Sequence, residues 1–263
     1  MEKNILNKKN CLITGATGGI GKEIAEELAK NSCNLFLVGQ KKEKLLKIEK
    51  KLKKKFDIEI SFQVGDLTCD KDVQKIIKKS KLFGKIDILI NSAGIFLEKS
   101  IEKTTVKEFE KCHTINVTVP FVLSKEFSKN MKKSNWGRII NIASSSSYQG
   151  FTNGSAYCAS KHGLLGLSRV MFNEFKKKNV RVFCISPGST KTKMGKKCKN
   201  QNFETFINPK EIAEYVINVI KFDKEMIVEE SRLNRIIIEW LKNKFHINFN
   251  TNKFWTIIKK IYL

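Results

Sequence analysis

The sequence predicts an α/β protein whose doubly wound parallel sheet forms a single domain with a helical C-terminal extension. Short apolar runs alternate with longer amphipathic runs along most of the chain, and a glycine-rich segment separates the first run of each kind. Such alternation is typical of β-α-β units, in which helices cover both faces of a parallel sheet. The 263 residues are enough for one large domain of this class.

The elements can be placed in order along the chain. Strands are predicted at residues 11–14, 34–38, 59–64, 86–90, 138–142 and 180–185, with 226–228 as a candidate for a short last strand. Helices are predicted at residues 19–30, 41–54, 155–177 and 209–221, with one or two helices in 105–131 and another beginning near Asp70. No repeat or proline-rich linker interrupts this pattern, so residues 1–230 are expected to form the domain and 231–263 a basic, aromatic extension.

The composition has two interpretations. A formal net charge of +24 suggests a polyanionic partner such as nucleic acid or an anionic membrane. Alternatively, it reflects a general lysine bias, since only five of the 50 basic residues are arginine. Much of the lysine lies on predicted helix faces, as in residues 41–55, so we expect no nucleic-acid function. An acidic or carrier-bound substrate is a better candidate than nucleic acid to benefit from the charge, with compositional lysine as the alternative.

Location and metal content are predicted from simpler features. No apolar run of about 18 residues and no apolar N-terminal segment is visible, which favours a cytoplasmic protein. The seven cysteines are scattered without Cys-x-x-Cys spacing or paired histidines, which indicates reduced thiols and no metal site.

The strongest indication of a catalytic function is the pair Tyr157 and Lys161. Four residues apart, they lie on the same face of a predicted helix. An unperturbed tyrosine titrates near ~10, too high for efficient proton transfer at neutral pH, and a neighbouring ammonium lowers that pKa. The pair therefore predicts a phenol that exchanges a proton with a substrate oxygen, although the spacing alone is common on helix surfaces.

The glycine-rich segment, residues 14–21, lies between a predicted strand and a predicted helix. Small residues there let the backbone approach a pyrophosphate at the positive end of the helix dipole. Together with Asn91-Ser92-Ala93-Gly94, Ser144, Tyr157 with Lys161, and Pro187-Gly188, this segment resembles the short-chain dehydrogenase/reductase family in its single-domain subgroup. The resemblance extends from about residue 10 to about residue 227 and implies a Rossmann-type fold and an oxidoreductase that interconverts a carbonyl and a secondary alcohol.

The resemblance also implies roles for individual residues. The catalytic set would be Asn116, Ser144, Tyr157 and Lys161, with Ser144 polarising the carbonyl and Asn116 holding a water that links Lys161 to solvent. The cofactor contacts would be Gly15, Thr17, Gly18, Gly19, Ile20, Gly21, Gln40, Lys41, Asp66, Leu67, Asn91, Ala93, Gly94, Tyr157, Lys161, Pro187, Gly188, Thr190 and Thr192. Alternatives stay open: Ser145 or Ser146 for Ser144, a structural Asn91 or Asn116, and Asp66 as a cap of the next helix.

The cofactor is expected to be NADP, with NAD as the alternative. NAD-specific folds place a carboxylate after the second strand, but here Gln40, Lys41 and Lys42 occupy that position. A lysine attracts a 2′-phosphate, and Gln40 stands where NADP-using relatives often carry arginine.

Quaternary structure and the C-terminal extension complete the predictions. Residues 109–131 and 155–177 are the helices through which the resembling family forms homodimers and homotetramers. Aromatic residues and lysines alternate in residues 233–263, which would suit a membrane interface, packing over the cleft or contact with a partner subunit.

The rival functions are a cofactor-binding regulatory protein without turnover and a lipid carbonyl reductase at a membrane surface.

Overall fold

A computed structural model describes residues 4–198 and 201–236 of the chain. Its strands are β1 (Asn10–Thr14), β2 (Asn34–Gly39), β3 (Ile60–Val64), β4 (Ile88–Asn91), β5 (Gly137–Ile142), β6 (Val180–Pro187) and β7 (Glu230–Leu233). Its α-helices are α1 (Gly19–Lys30), α2 (Lys42–Lys53), α3 (Asp70–Phe83), α4 (Val106–His113), α5 (Val119–Lys133), α6 (Ser155–Phe175) and α7 (Pro209–Ile220).

The seven strands form one parallel sheet in the order β3-β2-β1-β4-β5-β6-β7. Apolar faces of α1, α2 and α7 join one core cluster on the sheet, and those of α3, α5 and α6 join the other. Both faces are thus covered, which explains why the strands are nearly continuous apolar runs. The fold is the predicted Rossmann-type α/β sheet.

The region predicted as one or two helices before β5 contains a π-helical turn, Thr114–Thr118, between α4 and α5. A capping box between Thr105 and Glu108 starts α4. A π-helical turn is wider than an α-helical turn, so it rotates the residues it contains, and it often marks a functional site. Here it carries Asn116, which is 1% exposed.

The prediction for the last strand is wrong, because β7 is Glu230–Leu233 and not 226–228. The carbonyl of Met226 accepts a hydrogen bond from Arg181 Nη1 at 2.8 Å, so that segment wraps around a side chain. Glu230 is held by Tyr148 and Arg169, and Ser231 by Tyr215. The sheet therefore continues past the boundary predicted at residue 230.

Most of the predicted extension lies outside the described residues, which end at Ile236. Among the described helices, none combines the length and apolar character needed to cross a membrane.

Candidate active site

A cleft of about 940 Å³ lies at the carboxyl edge of the sheet. The loops that follow β1, β2, β4, β5 and β6 all contribute to its lining. The order of the sheet reverses between β1 and β4, because the chain goes outward from β1 to β3 and then returns to β4 on the other side. Ligands of open α/β sheets bind at this kind of switch point.

The glycine turn is built so that side chains are excluded from it. Gly15 has a φ of +67°, and a Cβ there would lie 2.8 Å from the backbone nitrogen of Ala93. At Gly21 a Cβ would lie 2.5 Å from the carbonyl oxygen of Gly15. The first residues of α1 therefore present bare backbone to the cleft, a cradle that fits the pyrophosphate of a dinucleotide.

The adenosine end of this cradle is basic. The cleft lining there includes Gln40, Lys41 and Leu67, and also Lys22 and Lys44. Asp66 accepts hydrogen bonds from the backbone and hydroxyl of Thr68, at 2.9 and 2.8 Å. These bonds hold the pKa of Asp66 below its usual value, with a smaller contribution from Gln40.

The role of Asp66 as a cap of α3 is not what the structure shows. The N-cap position of α3 is Cys69, and Asp66 instead closes a turn onto Thr68. Its neighbours Gly65 and Leu67 line the cleft.

Residues 91–94 divide into a structural and a cleft-facing part. Asn91 is 2% exposed and donates to Asn141 Oδ1 at 2.8 Å, which links β4 to β5 inside the sheet. Ala93 and Gly94 line the cleft. The structure thus favours the structural interpretation of Asn91 and leaves Ala93 and Gly94 as candidate cofactor contacts.

Ser144 and Tyr157 meet at the far side of the cleft. Both residues line the cleft, and the side chain of Ser144 acts on the phenol of Tyr157 so as to lower its pKa. Ser144 Oγ accepts a hydrogen bond from the backbone of Ser146 at 3.1 Å. Ser145 and Ser146 line the cleft as well, but of the three serines only Ser144 influences the pKa of Tyr157.

The acidity of Tyr157 differs from the prediction. Burial raises its pKa to about 12, and the influence of Ser144 only partly opposes that rise. Lys161 Nζ lies 5.9 Å from the centroid of the tyrosine ring, and its charge does not outweigh the loss of water. The predicted lowering of the pKa is therefore wrong for the chain by itself. A phenol of this kind is protonated at neutral pH, the form that donates a proton.

Lys161 is fixed by the end of β5. Its ammonium group donates to the carbonyl of Ile142 at 2.9 Å, and the side chain is buried. Burial lowers its pKa to about 8. A Cβ on Gly94 would lie 3.7 Å from Lys161 Nζ and 3.2 Å from Asn116 Oδ1, so these two polar groups converge on the same small residue.

The side chain of Asn116 links the π-helical turn to the loop after β4 and to α6. Its Oδ1 accepts from the backbone of Ile95 at 3.0 Å, and its Nδ2 donates to the Ile95 carbonyl at 3.1 Å. Nδ2 also donates to Ser160 Oγ at 2.9 Å, and Ser160 in turn donates to the carbonyl of Tyr157 at 2.8 Å. Asn116 thus satisfies the backbone of a loop and not that of its own helix, while Ser160 connects it to the tyrosine.

The loop after β6 closes the cleft over the glycine turn. Pro187, Gly188, Thr190 and Thr192 all line it. Thr190 donates to the carbonyl of Gly188 at 2.9 Å, and Thr192 Oγ1 accepts from the backbone of Gly195 at 3.0 Å. A Cβ on Gly19 would lie 2.9 Å from Cβ of Thr192, so this threonine packs directly on the turn.

Sequence reasoning missed Lys22, Lys44, Ser160, Phe96 and Phe151. Lys44 follows Lys41 by three residues, about one helical turn, and Ser160 immediately precedes Lys161, so both had a positional signal. Phe96 and Phe151 approach Tyr157 from separate loops. No sequence spacing predicts that contact.

Comparison with known proteins agrees with this geometry. The model of the short chain dehydrogenase family matches residues 9–202. The 3-oxoacyl-[acyl-carrier-protein] reductase FabG of Rickettsia felis is 32% identical over 222 residues, which cover 82% of this chain and 89% of that protein.

Solved structures give the same result. An alcohol dehydrogenase from Thermococcus sibiricus complexed with 5-hydroxy-NADP superposes with a TM-score of 0.80 at 28% identity, over 88% of this chain and 97% of that one. A 4-hydroxyisoleucine dehydrogenase complexed with NADH superposes with a TM-score of 0.77 at 27% identity, over 87% and 97%. The chain belongs to the short-chain dehydrogenase/reductase family of oxidoreductases, which act on CH–OH and C=O groups.

Proposed function

We propose that the protein is an NADPH-dependent reductase that converts a carbonyl to a secondary alcohol, with Tyr157 as the general acid. The observation that carries this proposal is that Ser144, Tyr157 and Lys161 line one side of a cleft whose other end is a glycine cradle. The bound dinucleotide supplies the hydride. The protein must therefore hold the carbonyl, donate a proton to its oxygen and exclude water.

The side chains have distinct roles in this reaction. Ser144 donates a hydrogen bond to the carbonyl oxygen and stabilises the negative charge that develops there. Tyr157, protonated at neutral pH, transfers its proton to that oxygen. Lys161 places a positive charge close to the forming phenolate, and Asn116 holds the Gly94–Ile95 loop beside it.

A carbonyl screen with a catalytic control tests this function. Purified protein is assayed for NADPH oxidation with a panel of ketones, and the Tyr157→Phe variant is assayed in parallel. General acid catalysis contributes about 10²–10⁴-fold to rates, so the variant should lose at least about a hundredfold in kcat while its Kd for NADPH changes little. Near-parental turnover by Tyr157→Phe would exclude this mechanism, and binding of NADPH without turnover of any ketone would favour the regulatory alternative.

NADP is the proposed cofactor because Lys41 and Lys44 line the cleft beside Gln40, whereas the charge of Lys22 is paired with that of Glu23 at 3.5 Å. The carboxylate Asp66 is already occupied by Thr68. The NADP analogue in the Thermococcus sibiricus enzyme supports this choice, while the NADH in the 4-hydroxyisoleucine dehydrogenase shows that the fold accepts either. Lys41→Glu should lower kcat/KM for NADPH relative to NADH. A wild-type protein that uses NADH equally well would contradict the preference.

An acidic or carrier-bound carbonyl is the proposed substrate. The segment after Thr192 brings Lys193 and Lys196 to the cleft lining, and the FabG relative is a reductase of a carrier-bound oxoacyl group. The positive charge would attract such a substrate. The function does not require nucleic acid.

A homodimer or homotetramer in the cytoplasm completes the proposal. The helices α4, α5 and α6 expose Val106, Phe109, Phe121 and Val170, between 38% and 73% of each side chain. A contact between copies would bury these residues. A monomer in light scattering at micromolar concentration would contradict it, and vesicle binding by the full chain that is lost on truncation after Leu233 would favour the membrane alternative.

A further inference from the structure

An aromatic wall, formed by Phe96 and Phe151, lies beside the proton donor. The ring centroids of Phe96 and Tyr157 are 4.9 Å apart in an edge-to-face arrangement. Phe151 stacks on Phe96 at 6.0 Å and lies 6.5 Å from the tyrosine ring. All three rings line the cleft. Aromatic pairs in these arrangements attract one another beyond the effect of burial.

The aromatic wall is held in place from behind. Phe96 packs against the buried cluster of Cys112, Ala156 and Tyr157. Phe151 packs on Gly154, where a Cβ would lie 2.8 Å from the tip of its ring. The wall is therefore a fixed surface at the start of α6 and not a pair of side chains in solvent.

One part of this surface is left uncovered. Phe151 is 40% exposed although it is anchored on both Phe96 and Gly154. A single exposed apolar residue is ordinary on a protein surface. Phe151, however, lines the cleft, and its ring lies 6.5 Å from the ring of Tyr157, whose hydroxyl must reach the carbonyl oxygen. A substituent of the carbonyl carbon that faces Phe151 would displace water from the phenyl ring of this residue.

We propose that the substrate is a ketone whose carbonyl carbon carries a bulky apolar substituent, an aryl or branched alkyl group, which packs on the aromatic wall. This inference rests on the proposed function and adds the substrate class to it. In the reaction, bound NADPH would supply the hydride of the new C–H bond, and the π electrons of the carbonyl would form the new O–H bond with the proton of Tyr157. The resulting phenolate would take up a proton from solvent, so that NADPH, the ketone and one proton give NADP⁺ and a secondary alcohol. The lysines after Thr192 are then available to an acidic group on the other arm of the same substrate.

A matched pair of keto esters tests the substituent. Ethyl benzoylacetate and ethyl acetoacetate differ in the group on the ketone carbon, phenyl against methyl. With the wild type and NADPH, kcat/KM should be at least about tenfold higher for the phenyl compound, since apolar pockets discriminate by roughly this factor per small group. Phe151→Ala should bring that ratio towards one by lowering kcat/KM for the phenyl compound and leaving the methyl compound nearly unchanged.

The control is Phe172→Ala, a half-buried phenylalanine near the other end of α6, which should leave the ratio intact. Equal or better use of the methyl compound by the wild type, or an unchanged ratio in Phe151→Ala, would overturn the inference while the proposed function stands.

If the wild type reduces neither ester, ligand-observed NMR separates the two failures. The protein with NADP should bind 1-phenylethanol at least about tenfold more tightly than 2-propanol, and Phe151→Ala should lose this difference. That result would support the apolar site although the proposed reaction had failed. Equal binding of both alcohols by the wild type would overturn the apolar site as well.

Discussion

The two ends of the cleft are built by different means. At the cofactor end, Gly15, Gly19 and Gly21 bring backbone to within contact distance of other backbone or of Thr192, and a side chain at any of them would collide. At the substrate end, Phe96, Phe151 and Tyr157 form the surface with their rings. Backbone contacts impose a residue type and a spacing, whereas a surface of side chains can be assembled from many sequences. The first end is therefore predictable from a sequence motif, whereas at the second end a motif predicts Tyr157 but not the two phenylalanines.

The largest expected effect is a difference in stability between alanine substitutions at two glycines, one from each end of the cleft. Gly15→Ala should lower the free energy of unfolding by about 3 kcal/mol, because it combines a left-handed φ with a collision against Ala93. Gly150→Ala, next to Phe151, should change it by less than about 0.5 kcal/mol, because a Cβ there meets nothing within 4 Å. Urea unfolding of both variants measures this. Similar costs at the two sites would show that the ends do not differ in this way.

The next effect concerns Lys161, whose charge lies between the two ends. Burial lowers its pKa to about 8, whereas a lysine in an unfolded chain titrates near ~10.4, so the unfolded chain binds more protons between these values. The free energy of unfolding should therefore rise with pH in that window, by about 2 kcal/mol from pH 7.5 to 9.5 for this group. Urea unfolding of the wild type and of Lys161→Met at both pH values isolates the contribution. Identical pH dependence in the two proteins would mean that the lysine is not desolvated.

A smaller effect is expected at Ser160, where the two ends are joined. Its hydroxyl accepts from Asn116 and donates to the carbonyl of Tyr157, so it positions the π-helical turn against the helix that carries the tyrosine. Ser160→Ala should lower kcat about tenfold and leave the KM for NADPH nearly unchanged, which corresponds to loss of one buried hydrogen bond. Cys112→Ala is the control, because its thiol is only a weak acceptor for Asn116 at 3.4 Å. Equal losses in both variants would indicate general loosening of the core.

The sequence was sufficient for the parts of the fold that follow from local chemistry. The limits of α1 were predicted to the residue, since glycine precedes the helix and a turn through Asn31 and Ser32 follows it. The position of β7 was not, because it depends on long-range bonds from Arg169, Tyr148 and Tyr215 to Glu230 and Ser231. At the site, the residues of the catalytic set could be named, but the pKa of Tyr157 depends on how much water the fold excludes. The aromatic wall depends on two loops that meet only after folding.

The smallest effect is expected at the adenosine end of the glycine cradle, where charge and not packing contributes to binding. Lys44 lines the cleft, whereas Lys42 is the first residue of α2 and serves as a control of equal charge on the same helix. Both side chains are exposed, so solvent screens them and the effect of removing one is small. Lys44→Ala should raise the KM for NADPH about twofold to fivefold and leave the KM for NADH unchanged, and Lys42→Ala should alter neither. The effect of Lys44→Ala should also disappear at high salt, because screening removes a charge contact but not a backbone one. An equal effect of both variants would mean that the preference for a phosphate comes from the overall charge of α2. In that case no single lysine would determine the preference, whereas in the glycine turn each glycine is required at its own position.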